Sequence, residues 1–216
     1  MSIVFDIETA PQDKEMLQKN MPEFNPADVK LGRTTDPEKV KATIEKARLK
    51  HEENYWRKSA LSATTGRVLL VGFMYEDQST MFIEGPEERI LTDFWDVWQI
   101  SSPTTLIGFN CKKFDIPFLI RRSWALGVKI PLDVLSGRYQ SERIVDLLKL
   151  WDCGEHDSES GSAKLDMISK TLGGTGKNGN GADFHNIYIE DRKRALDYAT
   201  NDLRQTQLVA IKMGIL

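Results

Sequence analysis

Short apolar runs alternate with amphipathic segments along most of the chain. The runs are rich in β-branched and aromatic side chains, as buried strands are. They occupy residues 2–5, 67–75, 80–83, 104–110 and 144–150, the last being either a strand or a strand–helix corner. Apolar residues recur at helical spacing in residues 87–100, 115–126, 165–172 and 190–213, which predicts helices. Residues 153–162 and 173–181 are polar or glycine-rich and predict connections. This order predicts an α/β fold, a mixed β-sheet flanked by helices, whose second and third strands form a hairpin.

Two of the predicted helices carry an apolar face that we expect to pack inward. Phe94 and Trp98 share a face of residues 87–100. Ile116, Ile120 and Trp124 share a face of residues 115–126, and Gly127 follows them as a typical helix stop.

Residues 12–66 interrupt this alternation after the first strand. Residues 13–32 lack periodicity and contain Pro22 and Pro26, which predicts a loop with short turns. The sequence Asp36-Pro37-Glu38 then predicts the start of a charged helix. That helix is either a solvated surface helix or a lid over a substrate groove. We therefore predict one domain, residues 1–216, with a mainly helical insertion at residues 12–66.

The composition narrows the class of protein. The hydrophobic fraction of 40% and the charged fraction of 28% are ordinary for a globular protein, and no apolar run approaches membrane-spanning length. A net charge of −3 argues against a general basic binder, although a local basic rim remains compatible with nucleic acid. Cys111 and Cys153 are too few for a disulfide framework or a zinc site. Because the first strand begins at the N-terminus, we expect no signal peptide. The low cysteine count predicts a reducing, cytoplasmic location, and the lack of a long apolar run predicts no membrane partner.

Two carboxylates, Asp6 and Glu8, stand at the end of the first apolar run. Residues i and i+2 of a strand point to the same face, with Cα atoms about 6.5–7 Å apart. This spacing lets both carboxylates converge on one hard divalent cation. The alternative is that the two acids simply leave the strand for solvent.

Two further sites carry acids. Asp115 begins a predicted helix directly after the strand-end sequence Asn110-Cys111-Lys112-Lys113-Phe114, where sites form in open α/β sheets. It is an ordinary helix N-cap, a metal ligand, or both, because a carboxylate has two oxygens. Tyr198 and Asp202 are stacked neighbours on the last helix. They present a phenol and a carboxylate to one spot, unless Tyr198 is only a core aromatic and Asp202 is solvated.

Taken in order, the three motifs D-x-E, N-x3-F-D and Y-x3-D resemble the DEDD 3′–5′ exonucleases of the RNase H-like superfamily. The chain looks most like the proofreading exonuclease domain of family B DNA polymerases and its stand-alone relatives. Supporting stretches are Gly66-Arg67-Val68 and Lys164-Leu165-Asp166. The histidine subgroup has its histidine five residues before the last Asp, where this chain has Asp197, so the tyrosine subgroup is the better match. The resemblance leaves residues 13–59 unmatched.

The resemblance implies an RNase H-like fold and a metal-dependent exonuclease that releases 5′-mononucleotides from single-stranded 3′ ends. It implies two Mg²⁺ or Mn²⁺ ions, with Asp6 bridging both, Glu8 and Asp202 completing the tighter site, and Asp115 holding the second ion. All-oxygen ligand sets suit these ions. Tyr198 would orient the attacking water.

The substrate contacts that we expect are Thr9, Asn110, Phe114, Lys112 and Lys113. DNA is favoured over RNA as the nucleic-acid partner, but a tyrosine-type exoribonuclease and a non-catalytic nucleic-acid-binding module remain alternatives. Arg121 and Arg122 either track the nucleic-acid backbone or form the solvated face of their helix. Asp146, at another strand end, either supports the site or caps the next segment, and we do not count it as a ligand.

Overall fold

A five-stranded sheet with β1 at its centre organises the structure. The structure is a computed structural model, and it describes residues 2–33, 35–100, 104–136, 141–153, 163–176 and 184–216. The strands run in the order β3-β2-β1-β4-β5, and their bounds are β1 Ser2–Pro11, β2 Gly66–Met74, β3 Thr80–Glu84, β4 Thr105–Gly108 and β5 Ile144–Asp146. β1 pairs parallel with β4, β4 pairs parallel with β5, and β2 and β3 form the predicted antiparallel hairpin. The carboxyl ends of β1, β4 and β5 therefore lie at one edge of the sheet.

Eight α-helices in the described residues accompany the sheet and confirm the predicted α/β class. They are α1 Lys14–Asn20, α2 Pro37–Ser59, α3 Glu87–Ile100, α4 Asp115–Leu126, α5 Leu147–Trp151, α6 Leu165–Thr171, α7 Phe184–Glu190 and α8 Arg192–Lys212. α3 and α4 have their predicted bounds, and Gly127 ends α4 in the left-handed conformation with φ of 69°. The predicted strand–helix corner is the step from β5 into α5 at Asp146.

Side chains of β1 alternate between helices on the two faces of the sheet. Phe5 packs near Phe94 of α3, with ring centroids 6.1 Å apart. Val4 belongs to a buried cluster that also contains Leu203 and Val209 of α8. Because neighbouring strand residues point to opposite faces, α3 covers one face of the central strand and α8 covers the other.

The orientation predicted for Trp124 is wrong, because 60% of that residue is exposed. The buried side of α4 runs through Ile116, Leu119 and Ser123. At about 100° per residue, Trp124 lies roughly a quarter turn from the centre of that stripe.

The end of the chain also differs from its prediction. The helix predicted over residues 190–213 is α8, Arg192–Lys212, and a short helix that was not predicted, α7, precedes it and ends at Glu190. The Asp191 side chain accepts a hydrogen bond from the Arg194 backbone N–H at 3.0 Å, so it caps a new helix. Residues 154–162 and 177–181, within the two predicted connections, lie outside the described part of the chain.

Two compact units divide the chain: one combines the chain up to Thr9 with Val68–Leu216, and the other is Ala10–Arg67. In the second unit, α2 begins as predicted, because the Asp36 side chain accepts a hydrogen bond from the Glu38 N–H at 3.0 Å. The loop predicted over residues 13–32 is wrong where α1 forms. α1 buries Leu17, whose carbonyl accepts a hydrogen bond from the Tyr55 hydroxyl at 3.0 Å. That this unit is an insertion within one domain stays a prediction.

Within the described residues, no helix combines the length and the apolar character that crossing a bilayer requires.

Candidate active site

The position of Asp6 and Glu8 follows from the alternation of side chains along β1. Val4 packs with Leu203 of α8, and Asp6 and Glu8 are the next two residues of β1 on the same face. Both acids therefore follow the α8 side of the sheet towards the carboxyl end of the strand. Asp6 is half-buried and Glu8 is buried.

α8 brings Tyr198 and Asp202 to the same place. The two residues are one turn apart, and their neighbours Ala199 and Leu203 are buried, so α8 packs with this side inward. Tyr198 is 6% exposed and Asp202 is 2% exposed. The alternative in which Asp202 is solvated is therefore wrong.

Asp6, Glu8 and Asp202 converge on one point. One carboxylate oxygen from each residue lies within 4.8 Å of the corresponding oxygens of the other two. Three like charges at this separation, two of them buried, repel strongly unless a cation or protons compensate them. The all-oxygen donor set fits a hard divalent cation such as Mg²⁺ or Mn²⁺.

Asp115 lies beside β1 but is not one of the three acids whose oxygens meet within 4.8 Å. Phe114 occupies the N-cap position of α4 and Asp115 is the first helical residue, so the expectation that Asp115 is an ordinary N-cap is wrong. Its Oδ1 instead accepts a hydrogen bond from the Ile7 backbone N–H at 3.1 Å, between the two acids of β1. Burial, followed by the nearby Asp6 charge, raises the pKa of Asp115 well above its usual range.

The Tyr198 phenol stays protonated at neutral pH. Burial is the main reason that its pKa is raised, and the charges of Asp202, Glu8 and Asp6 add to it. A phenol surrounded by three carboxylates is a poor proton acceptor but an effective hydrogen-bond donor. Tyr198 also packs against Phe184 of α7, with ring centroids 5.9 Å apart, which limits the movement of its ring.

The predicted substrate contacts fall in two places. Asn110, Lys112, Lys113 and Phe114 form the turn between β4 and α4, directly before Asp115, whereas Thr9 follows Glu8 on β1. Asn110 has a φ of 59°, in the left-handed region that Asn tolerates better than most residues. Thr9, Asn110, Lys112 and Phe114 are half-buried, and Lys113 is exposed. The turn residues therefore lie at the carboxyl ends of the parallel strands, the edge of the sheet towards which Asp6 and Glu8 of β1 lie.

Arg122 does not lie on a solvated face and is not available to follow a nucleic-acid backbone. It is buried, and its guanidinium donates to Glu87 of α3 at 2.8 and 2.7 Å. Arg121 on the same helix is exposed.

Asp146 caps the segment that follows it, which is one of the two roles predicted for it. It accepts a hydrogen bond from the Leu148 N–H at 3.1 Å and so caps α5. The sequence did not predict that Asp146 also contacts the β4–α4 turn. The one sequence signal for this contact is that Asp146 is an acid at the end of β5, the strand next to β4.

The mixed sheet flanked by helices and the three converging acids define an α/β protein with a candidate divalent-cation site, and a comparison with protein families makes the assignment specific. A family model described as "Predicted 3'-5' exonuclease related to the exonuclease domain of PolB" matches residues 59–216. The chain belongs to this family.

Two relatives agree with that assignment. A DNA polymerase of Archaeoglobus fulgidus is 25% identical over 158 residues, which cover 66% of this chain and 20% of the polymerase. The structure of the family B DNA polymerase from the hyperthermophilic archaeon Pyrobaculum calidifontis superposes with a TM-score of 0.58 at 18% identity. That superposition covers 98% of this chain and 24% of the polymerase, and it shows a shared fold. The chain thus spans about a quarter or less of the length of either relative.

Proposed function

We propose that this chain is a metal-dependent 3′–5′ exonuclease of the DEDD tyrosine subgroup that hydrolyses phosphodiester bonds at the 3′ end of single-stranded DNA. The observation that carries the proposal is the convergence of Asp6, Glu8 and Asp202 within 4.8 Å. These acids come from the two ends of the chain, and the family supplies the reaction class.

In this proposal Asp6, Glu8, Asp202 and Asp115 would hold two divalent cations. Bound ions of this kind activate a water nucleophile and stabilise charge on the departing 3′ oxygen. The hydrogen bond from the Ile7 N–H fixes the Asp115 carboxylate beside β1 before any ion binds. Preorganisation of this kind avoids rearrangement during the reaction.

Tyr198 orients the attacking water as a hydrogen-bond donor. A phenol whose pKa is raised above its ordinary value is a poor proton acceptor at neutral pH. In this proposal Glu8, which is buried in the same group, accepts a hydrogen bond from that water.

The β4–α4 turn holds the terminal nucleotide in this proposal. The Phe114 ring offers a stacking surface for a base, and base–aromatic stacking does not require a particular sequence. Asn110 and Thr9 contact the terminal nucleotide, and Lys112 and Lys113 contact phosphates. A preference for DNA over RNA is part of the proposal.

The test uses 5′-labelled single-stranded DNA and RNA oligonucleotides with Mg²⁺, Mn²⁺ or EDTA. Asp6→Asn removes one of the proposed ligands, and Asp96→Asn, the same substitution at an exposed residue of α3, is the matched control. A second DNA carries a phosphorothioate at its last linkage, which slows cleavage from the 3′ end and leaves internal cleavage unaffected.

The proposal expects a ladder of shortened labelled DNA that requires the cation, is lost in Asp6→Asn, persists in Asp96→Asn and is slowed by the phosphorothioate. A ladder on RNA alone would establish an exoribonuclease instead. Immediate release of the labelled mononucleotide would show attack from the 5′ end. Binding of DNA without cleavage, in either cation, would favour the non-catalytic module.

A further inference from the structure

Asp146 makes more contacts than a helix cap requires. It is 3% exposed at the end of β5. Its Oδ1 accepts hydrogen bonds from the Leu148 N–H at 3.1 Å and from the Asn110 N–H at 2.8 Å. Its Oδ2 accepts a hydrogen bond from the Lys112 N–H at 2.9 Å. Only the first of these bonds caps α5, and the other two reach across to the β4–α4 turn.

The sheet register explains this reach. Asp146 pairs with Gly108, the last residue of β4, in the parallel β4–β5 ladder. The carboxylate therefore lies beside the point at which the chain leaves β4 and enters the turn. A residue one position away on β5 would point to the opposite face of the sheet.

The turn has a conformation that needs such support. Asn110 is left-handed, and a Cβ at Gly108 would lie 2.6 Å from the Cys111 Cβ, so the chain folds back tightly on β4. The Cys111 thiol also reaches the Val145 carbonyl of β5 at 3.6 Å. The Asn110 carbonyl accepts hydrogen bonds from two N–H groups inside the turn, at 3.1 and 3.0 Å, but the Asn110 and Lys112 N–H groups are satisfied by Asp146. Loss of that carboxylate would leave two partly buried donors without their acceptor.

We propose that Asp146 is a positioning residue that fixes the β4–α4 turn and so sets where Asn110 meets the 3′-terminal nucleotide. The inference rests on the proposed exonuclease function. Asp146 is not itself a ligand: both of its oxygens accept backbone N–H groups, and the acids that converge in the described residues are Asp6, Glu8 and Asp202. A misplacement of about 1 Å in a substrate-holding group can cost about 100-fold in rate.

Asp146→Ser separates the two roles of the side chain. Serine is a favoured N-cap and keeps the cap of α5, but its single, shorter oxygen does not span the two turn amides. Asp146→Asn conserves the volume and one carbonyl oxygen, so it restores part of the anchoring. Asp36→Ser, at the N-cap of α2 in the other unit, is the matched control for exchanging a capping Asp for Ser.

Three readouts are compared: steady-state cleavage of single-stranded DNA, Mn²⁺ affinity, and hydrogen exchange of the turn amides in EDTA. Relative to wild type, we expect kcat/KM to be about 10- to 100-fold lower in Asp146→Ser, intermediate in Asp146→Asn and unchanged in Asp36→Ser. We expect the backbone amides of Asn110 and Lys112 to exchange faster in Asp146→Ser than in wild type. The Mn²⁺ affinity of both Asp146 variants should stay within about threefold of wild type.

Exchange and kcat/KM at wild-type values in Asp146→Ser would overturn the inference and leave Asp146 as a cap alone. A loss of Mn²⁺ binding as large as that of Asp6→Asn would overturn it in favour of a ligand role. If wild type does not cleave DNA or RNA, the proposed function fails, and the exchange data still decide whether Asp146 holds the turn. If Asp146→Ser does not fold, Asp146→Asn provides the same exchange comparison.

Discussion

The ion pair between Glu87 and Arg122 gives a sharp test of how α4 is held in place. The Arg122 guanidinium donates two hydrogen bonds to the Glu87 carboxylate, at 2.8 and 2.7 Å, and their side chains are only 9% and 11% exposed. Glu87 Oε1 also accepts the Val68 N–H at 2.7 Å. The pair therefore ties β2, α3 and α4 together, and α4 begins with Asp115.

We expect Glu87→Gln to destabilise the fold by about 2–4 kcal/mol. Removing one partner of a buried pair typically costs about 3–5 kcal/mol, because the other charge stays buried without compensation. Glutamine keeps one oxygen acceptor, which returns part of that cost. For a chain of this size the loss corresponds to a melting temperature about 5–15 °C lower.

The assay is thermal and urea unfolding of wild type, Glu87→Gln and Asp93→Asn. Asp93 pairs with Arg89 on the solvent side of the same helix, with side chains 42% and 75% exposed, so its substitution should change little. The double variant Glu87→Gln with Arg122→Met removes both charges, keeps an acceptor for the Val68 N–H and should recover much of the stability lost in Glu87→Gln. If Glu87→Gln is no more destabilising than Asp93→Asn, the ion pair does not hold α4 in place.

Three further predictions concern the acids themselves. In EDTA, the raised pKa of Asp115 means that the folded state holds a proton that the unfolded state loses near pH 4. The contribution of Asp115 to the free energy of unfolding therefore falls as pH rises from about 4 towards its folded pKa. Asp115→Asn should therefore melt higher than wild type near pH 8 and equally near pH 4; a lower melting temperature near pH 8 would refute this. Tyr198→Phe should lower kcat about 10- to 100-fold without altering the slope of log kcat against pH between about 6 and 9, since the phenol is protonated throughout; loss of a titrating limb in that range would make Tyr198 a base. Mn²⁺ at about 100 times its Kd should stabilise wild type by about 2.7 kcal/mol in thermal melts and Asp202→Asn much less; equal stabilisation of both would place the ion elsewhere.

Local patterns were enough to predict the elements that form the sheet and its main helices. α3 and α4 have strong apolar faces, and a left-handed glycine at Gly127 ends α4. The alternation of β1 correctly predicted that Asp6 and Glu8 share a face. α1 was missed because it has only seven residues and buries a single side chain, Leu17, which leaves almost no periodic signal.

Contacts between distant residues set the limit of what the sequence could predict. Arg122 reads as a charged position on a helix, and its burial depends on Glu87, 35 residues earlier. The role of Asp146 in the β4–α4 turn depends on the register between β4 and β5, which no local pattern specifies. The meeting of Asp202 with Asp6 depends on α8 packing against β1, and it was the resemblance to known exonucleases, not periodicity, that predicted it.

Anomalous diffraction from crystals grown with Mn²⁺ shows whether Asp6, Glu8 and Asp202 bind a divalent cation. We predict a manganese peak bonded to oxygens of all three residues, at about the 2.0–2.3 Å typical of hard divalent cations in carboxylate sites. The peak should disappear in crystals of Asp6→Asn and persist in Asp96→Asn. A manganese ion bound elsewhere, with these three carboxylates holding none, would contradict the claim that they form a cation site.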